Sequence, residues 1–175
     1  MKKMKRLVAV LLAGVMVLAM LTACGGGSST PTSDVEKAEA LYMDSCNTVL
    51  DADADYENDA ELKNQAKRIL TDSLDENGAL KNGQKMTVTT YDKDAPLSAW
   101  TTVTILAQTG NENVPYGITS EELALANKDK ANADVRNNFV KMGVTKETTT
   151  RLAVGAVQKG DNIYVAIAVK TERKK

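Results

Sequence analysis

The chain has 175 residues, of which 43% are apolar and 26% are charged, and it contains two cysteines and no histidine. This length and balance are typical of one modest globular domain with additional segments. The lack of imidazole excludes Ser-His and Cys-His nucleophile pairs and zinc sites with His ligands. Two cysteines are also too few for an all-thiolate zinc site.

The formal net charge of −1 conceals an uneven distribution. Four of the 22 basic residues precede Cys24, whereas none of the 23 acidic residues does. The rest of the chain therefore carries 18 basic and 23 acidic residues, a net charge of −5. Because such a surface repels phosphate backbones, we expect no nucleic-acid partner.

The first 24 residues have the layout of a secretory signal. A basic segment over residues 1–6 precedes an apolar run over residues 7–20, and Leu21-Thr22-Ala23-Cys24 follows. The apolar run is shorter than the roughly 20 residues that a membrane-spanning helix needs. This order resembles a bacterial lipoprotein signal peptide, whose lipobox has the form Leu-x-Ala-Cys. The resemblance implies cleavage after Ala23 and a diacylglyceryl group on the sulfur of Cys24.

Residues 25–33 consist of Gly, Ser, Thr and Pro, a composition typical of a flexible tether. The sequence thus predicts a signal peptide over 1–23, an acylated Cys24 with its linker over 24–33, and a globular domain over 34–175. Acyl chains on Cys24 would hold that domain on the extracytoplasmic face of the cell membrane. Cys46 then has no partner in the chain, and its helical spacing predicts a small buried side chain.

Two helices are predicted at the start of the domain. Apolar residues recur every three or four positions from Asp34 to Leu50, the period of a helix with one buried face. A second helix is predicted from about Asp59 to Leu74, with Asn58 as its N-cap and Glu61 as the capping-box partner.

The middle of the chain gives mixed signals. Residues 85–91 alternate in polarity and are rich in β-branched side chains, which predicts a strand. Residues 95–108 favour either one helix or a helix followed by a strand. Thr119 and Glu122 form a capping-box pattern, which predicts a helix from Ser120. This helix is expected to break or bend within 127–132, to resume, and to end at Gly143.

The chain ends with two predicted strands, Arg151 to Val157 and Asn162 to Lys170, joined as an antiparallel β-hairpin. Both faces of the last strand are apolar. Val165, Ile167 and Val169 share one face, and Tyr164, Ala166 and Ala168 share the other. A sheet buried on both faces needs helices on both sides. The sequence therefore predicts an α+β domain built as a three-layer α-β-α sandwich.

Four short motifs occur in a fixed order within this domain. They are Asn111-Glu112-Asn113-Val114, Thr119-Ser120-Glu121-Glu122, the segment 133–140, and Leu152-Ala153-Val154-Gly155 ahead of Tyr164. In order and spacing they resemble the bacterial form of the CAP superfamily, the SCP-like domains of cysteine-rich secretory, antigen 5 and pathogenesis-related 1 proteins. Upstream, residues 58–62 resemble the start of the family's second helix, and residues 70–73 fall where the family has Phe-Ser-His-Thr.

The resemblance implies a CAP-like sandwich with a central groove, which in the family is often a metal site of two histidines and two acids. The two histidine positions fall on Asp72 and Val135 here, and Glu112 keeps the family's residue type. We therefore expect a groove near Glu112, Asn113, Tyr116, Asp72 and Val135 with neither metal nor cofactor, since both imidazoles are replaced.

Two functions follow from this interpretation. The first is a non-catalytic binding module at the cell envelope, with a lipid, a cell-wall fragment or a protein as its partner and no catalytic residue. The alternative is a carboxylate-dependent extracytoplasmic hydrolase that uses Glu112 and Asp72. Trp100, Tyr116 and Tyr164 either line the groove or fill the core, and the small number of large apolar side chains favours the core.

Overall fold

A computed structural model describes residues 33–51, 56–93, 98–126 and 128–173, all within one compact unit, Thr32–Lys175. The predicted signal peptide, the acylation site Cys24 and the linker as far as residue 32 lie outside the described residues. Within the described ranges, no helix is both long and apolar enough to cross a bilayer.

The domain contains helices and antiparallel strands, which confirms the predicted α+β class. Its elements in chain order are α1 (Asp34–Leu50), α2 (Ala60–Ser73), β1 (Thr87–Asp92), β2 (Ser98–Ile105), β3 (Ala107–Gln108), β4 (Asn111–Pro115), β5 (Gly117–Thr119), α3 (Ser120–Leu125), α4 (Lys128–Met142), β6 (Thr149–Lys159) and β7 (Asn162–Arg173).

The N-cap of α2 is Asp59, so the prediction of Asn58 as the cap is wrong. The side chain of Asp59 accepts a hydrogen bond from the N–H of Leu62 at 3.0 Å. Asn58 instead pairs with the backbone of Val154 in β6, donating to its carbonyl at 3.0 Å and accepting from its N–H at 2.9 Å. Without the side-chain amide of Asn58, the N–H and C=O of Val154 at the edge of the sheet would lack a partner.

Residues 98–105 form strand β2. The helix that both interpretations placed in this stretch is therefore wrong from Ser98 onward, whereas the strand of the second interpretation is present. The strand pairs antiparallel with β1 on one side and with β7 on the other. Threonine hydroxyls meet across the β1–β2 pair, Thr89 with Thr102 at 3.1 Å and Thr87 with Thr104. β-Branched side chains suit this pleated, two-sided environment better than they suit a helix.

The capping box predicted from Thr119 and Glu122 is confirmed at the start of α3. The chain then leaves the helix at Ala126, whose backbone is extended, so the break comes slightly earlier than predicted. Helix α4 ends before Gly143, which adopts a φ of 63° as expected for a glycine at this position.

Strand β7 is the centre of the main sheet. It pairs with β2 and, beyond the end of β2, with the short β5, while β6 runs antiparallel along its other side. Strand β1 lies outside β2. A separate two-stranded sheet is formed by β3 and β4.

Buried side chains form one cluster on each face of β7. Ile163, Val165, Ile167 and Val169 pack in a cluster with residues of α1, α3 and α4. Tyr164, Ala166 and Ala168 pack in the other with residues of α2 and β2. Cys46 lies in the first cluster with its side chain fully buried, as predicted, and burial raises the pKa of its thiol.

Candidate functional site

An apolar pocket of about 190 Å³ lies where α1, β5, α3 and α4 meet, and we call it the tyrosine pocket. It is bounded by small side chains at Ala126 and Ala131, at the break between α3 and α4. The full lining is Leu41, Tyr42, Tyr116, Ile118, Glu122, Leu123, Leu125, Ala126, Lys130 and Ala131. A concave, mostly apolar cavity with a few converging polar groups is the usual form of a small-ligand site.

The polar side of the tyrosine pocket is organised by Asp134. Its Oδ2 accepts hydrogen bonds from Tyr42 Oη at 3.1 Å and from Lys130 Nζ at 3.1 Å. The same Lys130 ammonium lies 4.2 Å from the ring centroid of Tyr116, within the range of a cation–π contact. Lys130 and Asp134 are one helical turn apart on α4, which brings their side chains together on one face.

Three ionisable groups of the pocket, Tyr42, Lys130 and Glu122, are held in their ordinary charge states at neutral pH. Burial, together with the charge of Asp134, raises the pKa of Tyr42, which keeps its phenol protonated as a donor. Burial disfavours the charged form of Lys130, but hydrogen bonds with Tyr116 and Asp134 outweigh it and raise its pKa. Hydrogen bonds from the backbone and hydroxyl of Thr119 lower the pKa of Glu122.

A second and more polar cavity of about 440 Å³ lies farther along α4, between it and the β3–β4 pair. We call it the amide groove, and its lining is Ala107, Gln108, Thr109, Gly110, Glu112, Asp134, Asn137, Asn138, Val140 and Lys141. Asp134 borders this groove, and its carboxylate also accepts the hydrogen bonds from Tyr42 and Lys130 at the tyrosine pocket. The two cavities are therefore neighbours along one helix.

The structure separates the predicted groove residues. Tyr116 lines the tyrosine pocket, and Glu112 lines the amide groove with its side chain 72% exposed. The Glu112 carboxylate pairs with Lys141 Nζ at 2.8 Å, which ties β4 to α4. Asn113 is exposed on β4, where its backbone N–H donates to Asn111 Oδ1 at 3.3 Å.

Val135 and Asp72 do not belong to either cavity, which corrects the predicted groove. Val135 is fully buried in the cluster beneath α4, because it lies on the apolar face of that helix. Asp72 is exposed on α2, which packs on the opposite face of β7 from α4. The carboxylates of Asp72 and Glu112 are therefore not brought into a common site.

The three aromatic candidates have different environments. Tyr164 is buried in the cluster beneath α2, and its hydroxyl donates to the carbonyl of Asn77 at 3.3 Å. Trp100 is half-buried and packs on Tyr91 with ring centroids 5.7 Å apart. Tyr116 alone of the three borders the tyrosine pocket in the part of the chain that the structure describes.

Most residues that line the two cavities were not predicted as site residues, among them Tyr42, Leu125, Lys130 and Asp134. The spacing of Lys130 and Asp134 was the one available signal, since such pairs meet on a helix. Tyr42 could only be assigned to a buried stripe, because its partner Asp134 is 92 residues away. Among the described residues, no three acidic or thiol side chains converge in a way that could hold a metal ion.

Comparisons of the chain with protein-family models, with curated proteins and with solved structures found no match. The chemistry of the two cavities is therefore inferred from their own residues.

Proposed function

We propose that this chain is a lipoprotein of the cell envelope, anchored by an acylated Cys24, whose domain binds an apolar group of a lipid or a cell-wall fragment. The observation that carries the proposal is the tyrosine pocket, an apolar cavity with two phenols and an ammonium at its polar side. Sites of this composition bind by burying apolar surface and orient the ligand with the few polar groups.

The size of the pocket limits what enters it. A dry cavity of roughly 150 Å³ holds one benzene molecule. At about 190 Å³, the tyrosine pocket therefore accommodates a single ring or a short acyl segment. The rest of a larger ligand would extend into the amide groove, where the side chains of Gln108 and Asn137 offer both donors and acceptors.

Support for binding rather than catalysis comes from the state of the charged groups. Lys130 and Asp134 bond to each other, and Glu122 is engaged in its capping box. General acid–base chemistry needs a group whose pKa lies near the working pH. The pKa directions of Tyr42, Lys130 and Glu122 all lead away from neutrality.

We also propose a CAP-like sandwich with a C-terminal hairpin as the architecture. The support is that helices cover both faces of β7 and that β6 and β7 pair directly from Thr149↔Thr171 to Lys159↔Asn162. The family's groove chemistry does not accompany this proposal, because the matching positions Asp72 and Val135 lie apart.

The binding proposal is tested by filling the pocket. Ala131 is 2% exposed and lines it, so Ala131→Leu should occupy part of the cavity, whereas Ala133→Leu adds the same atoms to an exposed position of the same helix. Decanoate and indole are titrated into residues 32–175, and the methyl NMR signals of Ile118 and Leu123 are followed.

We expect saturable shifts of these methyl signals with at least one probe in the native protein and in Ala133→Leu. The shifts should be lost in Ala131→Leu, provided its methyl spectrum shows an intact fold. Binding that is equal in both variants, or no shift at millimolar probe, contradicts the proposal.

A further inference from the structure

We infer that the corner where α3 ends and α4 begins rests on the lipid bilayer that carries Cys24. This inference relies on the acyl anchor of the proposed function and adds the membrane as a second contact of the domain. Its central residue is Leu125, which is 78% exposed at the rim of the tyrosine pocket. A single exposed leucine is ordinary, but this one continues an apolar pocket out to the surface.

The corner lies close to the point where the linker joins the domain. Ser33 caps α1, and α1 contacts α3, which begins at Ser120. Hydrogen bonding by Lys37 and, to a smaller extent, by Ser120 lowers the pKa of the Asp34 carboxyl. From Ser120 to Leu125 the helix rises only about 8 Å. Leu125 is therefore within roughly 15 Å of the first residue of α1, allowing for the width of the helices.

The length of the linker limits the distance of this corner from the membrane. Nine residues, 25–33, separate Cys24 from Asp34. Fully extended, the stretch from Cys24 to Asp34 spans at most about 36 Å. Confinement of this kind gives a tethered surface a high effective concentration, so that even a weak contact is populated.

The charges at the corner point to an apolar contact rather than an electrostatic one. Lys128 pairs with Asp44 at 2.8 Å, and Lys130 pairs with Asp134 at 3.1 Å. Glu121 and Asp129 are exposed nearby and would oppose an anionic surface. Insertion of the Leu125 side chain among the acyl chains is therefore the favourable contribution to the free energy of membrane contact, and it does not require anionic lipid.

The chain provides a matched control at Val140. Its side chain is 77% exposed, nearly the same as that of Leu125, but it lies near the other end of α4. About 18 Å of helix separates Lys128 from Val140. A membrane contact at the corner therefore predicts different environments for two equally exposed apolar residues.

The experiment uses the full lipidated chain in vesicles of phosphatidylcholine with brominated acyl chains. Trp100, the one tryptophan of the chain, is replaced by Phe, or by Tyr if the first variant does not fold, and Leu125→Trp or Val140→Trp is added. We expect brominated lipid to quench the Leu125→Trp emission about twofold, with a blue shift, and the Val140→Trp emission little. Adding anionic lipid should leave this difference unchanged.

Equal quenching in the two variants would overturn the inference. A blue shift of Leu125→Trp without bromine quenching would overturn it as well, because that result indicates coverage by a second protein copy. A strong dependence on anionic lipid would contradict the apolar contact. If the lipidated chain does not float with vesicles, both the acyl anchor and the membrane contact of the corner are refuted. The titration of residues 32–175 with decanoate and indole tests the tyrosine pocket independently of both.

Discussion

The carboxylate of Glu39, in helix α1, accepts a hydrogen bond from the backbone N–H of Ala156 in strand β6 at 3.1 Å. The same buried carboxylate pairs with Lys63 Nζ at 2.5 Å and with Lys67 Nζ at 2.8 Å, both in helix α2. Because α1 and α2 pack on opposite faces of β7, this one side chain joins the two helical layers around the edge of the sheet.

The outer edge of β6 is covered by further contacts of the same kind. The carbonyl of Leu152 accepts from the backbone N–H of Asp59 at 3.1 Å, and Val154 makes both of its outward bonds with Asn58. With Glu39 on Ala156, alternate residues of the strand are thus paired. Over residues 152–156, these bonds occupy the backbone groups that another strand would need for pairing.

Removal of the buried carboxylate should be costly. We expect Glu39→Ala to lower the free energy of unfolding by about 2–4 kcal/mol, because two ammonium groups and one N–H lose their partner. Glu39→Gln should cost less, since the amide oxygen can still accept from Ala156. Urea unfolding measures both. Glu61→Ala is the control, because the Glu61 side chain is 77% exposed, and it should lower the free energy of unfolding by at most about 1 kcal/mol. A loss for Glu39→Ala no larger than that for Glu61→Ala would contradict the role of Glu39.

The stability of the domain should fall in acid partly through Asp59. The hydrogen bond from Arg151 lowers the pKa of Asp59 in the folded state, so its contribution is complete above the unfolded pKa of about 3.9 and is lost as pH falls through the lower folded value. Asp59→Asn keeps a capping oxygen but loses the charge. It should therefore be less stable than the native protein by about 1 kcal/mol at pH 7, with a difference that shrinks below about pH 4.

Urea unfolding at several pH values measures this difference. Asp72→Asn, on the same helix but exposed, should change stability by less than about 0.5 kcal/mol. A difference for Asp59→Asn that stays constant down to pH 2 would be inconsistent with the depressed pKa.

Gly155 is needed for the close approach of β6 and α2. A Cβ at this position would lie 2.8 Å from the carbonyl oxygen of Lys63 and 2.9 Å from the Cβ of Ala66. We expect Gly155→Ala to destabilise the protein by about 1–3 kcal/mol through overpacking, as measured by thermal or urea unfolding. Ala66→Gly removes the Cβ that a side chain at position 155 would meet. The double variant should therefore be more stable than the sum of the two single effects predicts. If the two effects simply add, the backbone moves to relieve the overlap instead.

The proposed anchor is tested at Cys24. Cys24→Ala should remove the acylation site and shift the protein from the membrane fraction to the soluble or precursor fraction, as followed by fractionation and mass measurement. Cys46→Ala is the matched control, because this thiol is buried in the core and should not affect membrane attachment. Mature-sized, membrane-bound Cys24→Ala protein would refute the anchor.

Much of the local structure could be read from the sequence because it depends on residues within one or two turns of each other. The apolar period predicted α1 with the bounds Asp34 and Leu50 that the structure has. The capping box of Thr119 and Glu122 involves residues three positions apart, and it forms as predicted. The alternation of apolar residues along β7 likewise corresponds to its two buried faces.

The candidate site depended on contacts between distant parts of the chain, which no local pattern encodes. Tyr42 meets Asp134 only because α1 packs against α4. Asp72 is kept from Glu112 because Asp72 lies on α2, whereas Glu112 lies on β4 and is tied to α4 on the opposite face of the sheet. Residues 98–105 became a strand for a similar reason. Their β-branched side chains are compatible with a strand, and the pairing of their backbone groups with β1 and β7 decides between the helix and the strand that the local pattern left open.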